Sequence, residues 1–165
     1  MAFYSCTRNK GKKCRVVTTT VEHSSIRKMC SYLCINGVEI RLVKVDRNGM
    51  VDLSSLEKNF DDDTSLVSVQ WVSNETGVIQ PVEEIGEMCR RYGVPFHTDA
   101  AQAVGKIDMT VKDMPIDFLS FTGHKFHGPQ GAAAIYSRDR FMLAPVFFGG
   151  FQEEASGPVR KTSPA

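Results

Sequence analysis

The chain has 165 residues, enough for one ordinary domain burying roughly 70% of its unfolded surface and too few for two. Its 20 lysines and arginines stand against 19 aspartates and glutamates, and a formal net charge of +1 gives no global field toward nucleic acid or an anionic membrane. With 42% hydrophobic and 24% charged residues it is not disordered, collagen-like or coiled coil, and no apolar run reaches the ~20 residues of a membrane helix.

Met1 to Cys6 lacks the basic and apolar segments of a secretory signal, so a cytoplasmic location is expected. The basic run from Arg8 to Arg15 reads as a solvated helix end, without the interleaved aromatics of a nucleic-acid module. Arg15 to Thr20 is β-branched and short, a strand. It leads through Ser24-Ser25, a candidate N-cap, into Ile26, Met29, Cys30, Leu33 and Cys34 at helical spacing. Asn36-Gly37 closes that helix, Val38 to Val45 reads as a second strand, and Asp46-Arg47-Asn48-Gly49 is turn chemistry before a short amphipathic segment from Leu53 to Phe60. Asp61-Asp62-Asp63 lacks the spaced ligands of a calcium loop and reads as a solvated turn.

Leu66 to Val72 is a third strand, ending in Ser73-Asn74-Glu75-Thr76-Gly77. Pro81 begins a helix with Ile85, Met88, Cys89 and Tyr92 on one face, closed by Gly93. Val94 to Thr98 is the fourth strand, followed by Asp99-Ala100-Ala101-Gln102. Asp117 to Phe121 and Ala132 to Tyr136 are strands on either side of the polar loop Thr122 to Pro129. Strand alternating with helix predicts an α/β domain with a mostly parallel sheet and flanking helices.

In such sheets the ligand crevice lies beyond the carboxyl ends of the strands. His23, Asn74, Asp99 with Gln102, and Gly123-His124-Lys125 each follow a strand, so four strand ends converge on one place. A lysine in a sequestered pocket can capture an aldehyde cofactor, and pyridoxal phosphate further needs an acid that keeps its ring nitrogen protonated. Lys125 and Asp99 are the candidates, against a helix N-cap role for Asp99. His97 with Asp99, or His124 with His127, offers too few ligands for a metal, and no metal site is expected. The five cysteines, Cys6, Cys14, Cys30, Cys34 and Cys89, show no CxxC pair and read as reduced thiols.

Thr20-Val21-Glu22-His23, Ser73 to Gly77, Phe96 to Gln102 and Ser120 to Pro129 resemble the NifS-type cysteine desulfurases, relatives of the class V aminotransferases, collinearly from about Lys12 to Gln152. Selenocysteine lyases share these motifs, and selenocysteine lyase is the nearest alternative activity, its substrate differing by one chalcogen atom. The resemblance implies that residues 1–150 are part of the large domain of a fold-type-I pyridoxal-phosphate-dependent transferase. It implies removal of sulfur from L-cysteine to leave alanine and an enzyme persulfide, a homodimer, a sulfur-acceptor protein, and a place in sulfur metabolism and iron–sulfur cluster assembly. Lys125 is then the lysine bound to the cofactor and the base that moves the proton. Asp99 pairs with the pyridine nitrogen, Gln102 bonds the phenolic oxygen, and His23 stacks on the ring. Asn74 lies near the substrate carboxylate and ring oxygen, and Thr122 with His124 holds the phosphate.

The chain departs from the family pattern at both ends. The Gly-Ala-Thr turn that cradles the phosphate upstream has no counterpart before Cys6, and all five cysteines precede Lys125, whereas the family's persulfide-forming cysteine follows the lysine. After Glu154 the tail reads Ala155 to Ala165 where the family continues Arg-x-Gly-Thr-Glu-Asn. Codons for Ser156 to Ser163 read two bases later can spell a matching run. The expectation is a frameshifted, disordered tail over 151–165 and an activity impaired by truncation; the rival is an inactive fragment that only associates with another protein.

Overall fold

A computed structural model of the protein describes residues 1–8, 14–139 and 143–144. A six-stranded sheet runs in the order β2-β1-β3-β4-β5-β6, with β1 Arg15–Thr19, β2 Glu39–Val43, β3 Thr64–Ser68, β4 Phe96–Asp99, β5 Phe118–Thr122 and β6 Ala133–Ser137. The first five strands pair in parallel, and β6 runs antiparallel to β5 from Phe118↔Ser137 to Thr122↔Ala133. The reversal at β6 follows from its connection, a turn and short loop over 123–132, too short for the crossover helix that a parallel neighbour needs.

Alternation along the strands divides the core. Val17, Val67 and Leu119 face one side, where they meet Leu56 of α3 (Leu53–Glu57) and Ile85, Met88 and Cys89 of α4 (Val82–Tyr92). Val16, Leu66 and Phe118 face the other, against Ala2 and Phe3 of α1 (Ala2–Thr7) and Ile26, Cys30 and Leu33 of α2 (Ser24–Ile35). The result is a three-layer α/β/α sandwich whose central strands β1, β3 and β4 are buried on both faces as the short apolar runs predict, while β2 and β6 at the edges are largely exposed or half-buried. Helix α4 carries Glu83 and Glu84 in its first turn and Arg90 and Arg91 in its last, complementing its dipole.

Three local expectations change. The N-cap of α2 is His23 rather than a serine, its ring accepting the Ser25 amide. Arg15, expected on a solvated basic run, is buried in an ion pair with Glu39 and Asp61, which takes Asp61 out of a purely solvated turn. Cys30 is buried while Cys34, on the same helix, is exposed. The basic residues 9–13, the expected boundary near 150 and the tail 151–165 lie outside the described residues. Among the described residues no helix is long and apolar enough to cross a membrane.

The chain passes from β1 out to β2 and back across β1 to β3, so the sheet has its topological switch between β1 and β3, where a crevice opens beyond the strand ends.

Candidate active site

A cavity of about 310 Å³ lies at that switch, at the small end of the roughly 300–1,000 Å³ typical of ligand pockets. His23, Asn74, Asp99, Gln102, Thr122, His124 and Lys125 all line it, brought together from the ends of β1, β3, β4 and β5.

Each reaches the cavity for a local reason. His23 sits where β1 turns into α2; its Nδ1 accepts the Ser25 amide at 3.3 Å and lies 2.8 Å from the Ser25 hydroxyl. An imidazole accepting at Nδ1 carries its remaining proton on Nε2. Asp99 ends β4, and its Oδ1 accepts the Ala101 amide at 3.1 Å. That bond has the form of an N-cap, but turns rather than a helix follow. Burial pushes the Asp99 carboxyl up, opposed by the hydrogen bond from the Ala101 amide. Gln102 Oε1 is engaged by Lys106 Nζ, which leaves its amide nitrogen as the group free to donate.

Lys125 and His124 are exposed on a 3-10 turn, Gly123–Phe126, that continues directly from β5. The turn closes where the Gly128 amide donates to Gly123 O at 2.9 Å, with His127 in the left-handed region at φ 66°. Thr122 Oγ1 lies 2.9 Å from His124 Nδ1 and donates to Ala132 O at 3.3 Å, so hydroxyl and imidazole stand side by side next to the lysine.

Sequence reasoning missed Ser25, Ile26, Gln70, Val72, Ala101, Ser120 and Phe121, which also line the cavity. The signal was there: Gln70, Val72 and Asn74 are spaced by two, as are Ser120 and Thr122, the spacing of residues that share one side of an extended chain. Ser120 also pairs in register with Asp99.

The rival histidine is accounted for structurally. His97 is buried between Ser68 Oγ at 2.9 Å from Nδ1 and Ser120 Oγ at 3.1 Å from Nε2, with Phe3 edge-on at 5.4 Å. Burial lowers its pKa to about 3. Among the described residues no group of three or more His, Cys, Asp or Glu comes together to hold a metal ion. None of the five cysteines lines the cavity; Cys30 and Cys34 line a separate groove with Thr18, Ile35 and Leu42.

The aminotransferase class-V family model matches residues 1–162. A probable mitochondrial cysteine desulfurase of Dictyostelium discoideum is 46% identical over 157 residues, covering 93% of this chain and 35% of the relative. The cysteine desulfurase IscS of Ehrlichia chaffeensis is 46% identical over 157 residues, with 92% and 38% covered. Of solved structures, SspA in complex with cysteine superposes with a TM-score of 0.83 at 35% identity, over 94% of this chain and 44% of that one. A NifS-like protein superposes with a TM-score of 0.84 at 36% identity, over 91% and 42%. The chain thus spans little more than a third of the length of these curated relatives.

Proposed function

The chain belongs to the aminotransferase class-V family, and from that membership we propose that it carries the cofactor site of a pyridoxal-phosphate-dependent cysteine desulfurase. One observation carries the reading: seven side chains of complementary chemistry, from four strand ends, line a single cavity.

The donor set fits the cofactor. An acid, a primary amine, two amides, a hydroxyl and two imidazoles match a ring nitrogen, an aldehyde, a phenolic oxygen, a phosphate and an aromatic face. When bound, pyridoxal phosphate supplies an electron sink that makes bonds at the substrate α-carbon easier to break.

Asp99 would pair with the ring nitrogen and favour a proton on it. The Gln102 amide donates to the phenolic oxygen, and Lys106 keeps it turned the right way. Thr122 and His124 would take the phosphate, His23 would offer its flat ring to the aromatic face, and Asn74 would orient the substrate carboxylate. Lys125, on an exposed turn beside the cavity, would hold the aldehyde group of the cofactor through its amine and, when free, would serve as the base that moves the substrate α-proton.

The substrate is L-cysteine and the product alanine. None of Cys6, Cys14, Cys30, Cys34 and Cys89 lines the cavity, so none of them is placed there to take the sulfur as a persulfide. A homodimer, a sulfur-acceptor protein and a cytoplasmic location belong to the same proposal, and cell fractionation decides the location, since several relatives are named as mitochondrial.

The test is capture. Mixed with pyridoxal phosphate and reduced with borohydride, the chain gains the cofactor mass on Lys125, and Lys125→Ala does not. A label elsewhere, or none, removes the reading.

A further inference from the structure

Where β1 and β3 part to open the crevice, the sheet loses its hydrogen bonds. The β1–β3 ladder ends at Thr18↔Ser68, while residues beyond β3 keep bonding toward β4, Val69 N to His97 O and Trp71 N to Asp99 O. Between them the Gln70 amide faces the opposite way, toward a strand that has already turned aside. A side chain supplies the acceptor. The Gln70 N–H donates to Glu22 Oε1 at 3.1 Å, and the same oxygen takes the Thr19 hydroxyl at 2.6 Å. Gln70 returns the contact through its side-chain amide, which donates to Val21 O at 2.7 Å.

A buried carboxyl with no cation is costly. Glu22 is 4% exposed, Oε2 has no partner, and no lysine, arginine or histidine among the described residues pairs with it. Burial raises its pKa to about 7 against the pull of the Thr19 and Gln70 bonds, with the Asp99 charge adding to the rise. An apolar side chain of the same length would avoid this cost, so the oxygen is explained by what it fastens.

We propose that Glu22 is a positioning residue of the cavity: its Oε1 ties the turn leading to His23 to the Gln70–Trp71 segment, and through Trp71 to the backbone of Asp99. The His23 ring and the Asp99 carboxyl are thereby held at one spacing. The inference rests on the reading of the cavity as a pyridoxal phosphate site, in which those two groups grip one ring from its face and its nitrogen.

Two variants of the full chain test it. Glu22→Met keeps the length and loses the acceptor; Glu22→Gln keeps an acceptor oxygen. In Glu22→Met the melting temperature is expected to equal or exceed that of the unmutated chain. Hydrogen exchange at the Gln70 amide rises at least tenfold while Val69 and Trp71 are unchanged, and half-labelling of Lys125 needs at least tenfold more pyridoxal phosphate. Glu22→Gln stays within twofold on exchange and labelling. A merely structural residue would lower the melting temperature without moving the half-labelling concentration. That result overturns the proposal, as do unchanged Gln70 exchange, a Met variant that does not fold, or a Gln variant as impaired as Met. If the unmutated chain takes no label at Lys125, the functional reading fails instead, and Gln70 exchange still decides whether Glu22 is the tie.

Discussion

Gly105 packs against Phe126 so closely that a Cβ on the glycine would lie 2.9 Å from the phenylalanine Cβ. The contact presses the loop carrying Gln102 onto the turn carrying Lys125, and it needs a glycine twice over, because Gly105 also holds φ at +75°. Gly105→Ala should cost about 1–3 kcal/mol, from overpacking with the left-handed backbone added. Urea denaturation reads that loss, and borohydride trapping should show less pyridoxal phosphate on Lys125 at a given concentration. An alanine variant with unchanged stability would show that the two segments separate freely.

Gly86 gives a prediction opposite to helix propensity. In an exposed helix interior, glycine to alanine stabilises by about 1 kcal/mol. Here a Cβ would sit 2.2 Å from the Pro115 carbonyl oxygen, backbone that cannot swing aside. Gly86→Ala should therefore destabilise, by roughly 1–3 kcal/mol, and the shift of the urea midpoint at constant slope checks both sign and size.

Asp99 is expected to account for much of the cofactor affinity. A charge-assisted hydrogen bond contributes about 1.5–3 kcal/mol, or roughly tenfold to a hundredfold in a dissociation constant. Asp99→Asn should raise the dissociation constant for pyridoxal phosphate by about that factor, followed by the cofactor's visible absorbance. An Asn variant that binds as tightly would remove Asp99 from the ring nitrogen.

The pH dependence of stability should show two opposed limbs. Glu22, raised from 4.5 to about 7 by burial, binds more protons folded than unfolded, so its contribution is full below pH 4.5 and is lost as pH rises through 7. His97, lowered from 6.5 to about 3 by burial, binds fewer protons folded, so its contribution is full above pH 6.5 and is lost as pH falls toward 3. Each proton changes stability by about 1.4 kcal/mol per pH unit, and between pH 4.5 and 6.5 the two slopes cancel. Glu22→Gln should unmask a rise with pH up to about 6.5, and His97→Asn a fall from about 4.5 toward 7. Thermal denaturation of the three chains across this range checks the signs.

Much of the site was legible along the chain. Short β-branched runs each ending in polar residues placed His23, Asn74, Asp99 and Lys125 just past strand ends, and a parallel sheet gathers such ends on one side. Gln102 and His124 followed the same strand ends, and the resemblance then added Thr122 to the same cavity, where the structure puts all three side chains. Other features were not legible. Arg15 read as one more charge in a basic run because its partners, Glu39 and Asp61, lie 24 and 46 residues away. Glu22 read as the residue before a histidine, although its acceptor role depends on Gln70, 48 residues along.

The sequence by itself determined where most of the strands and helices lie, though not α1 or the early end of β3, and which side chains of chemical interest follow a strand. These are properties of spacing over a few residues, and steric preference and hydrophobic periodicity act at that range. Only the tertiary structure decided that β3 crosses back over β1, that the crevice opens where those strands part, and that a buried carboxyl bridges the gap. Those outcomes belong to pairs of residues far apart in the chain, whose meeting is set by how the layers pack and not by the character of either residue alone.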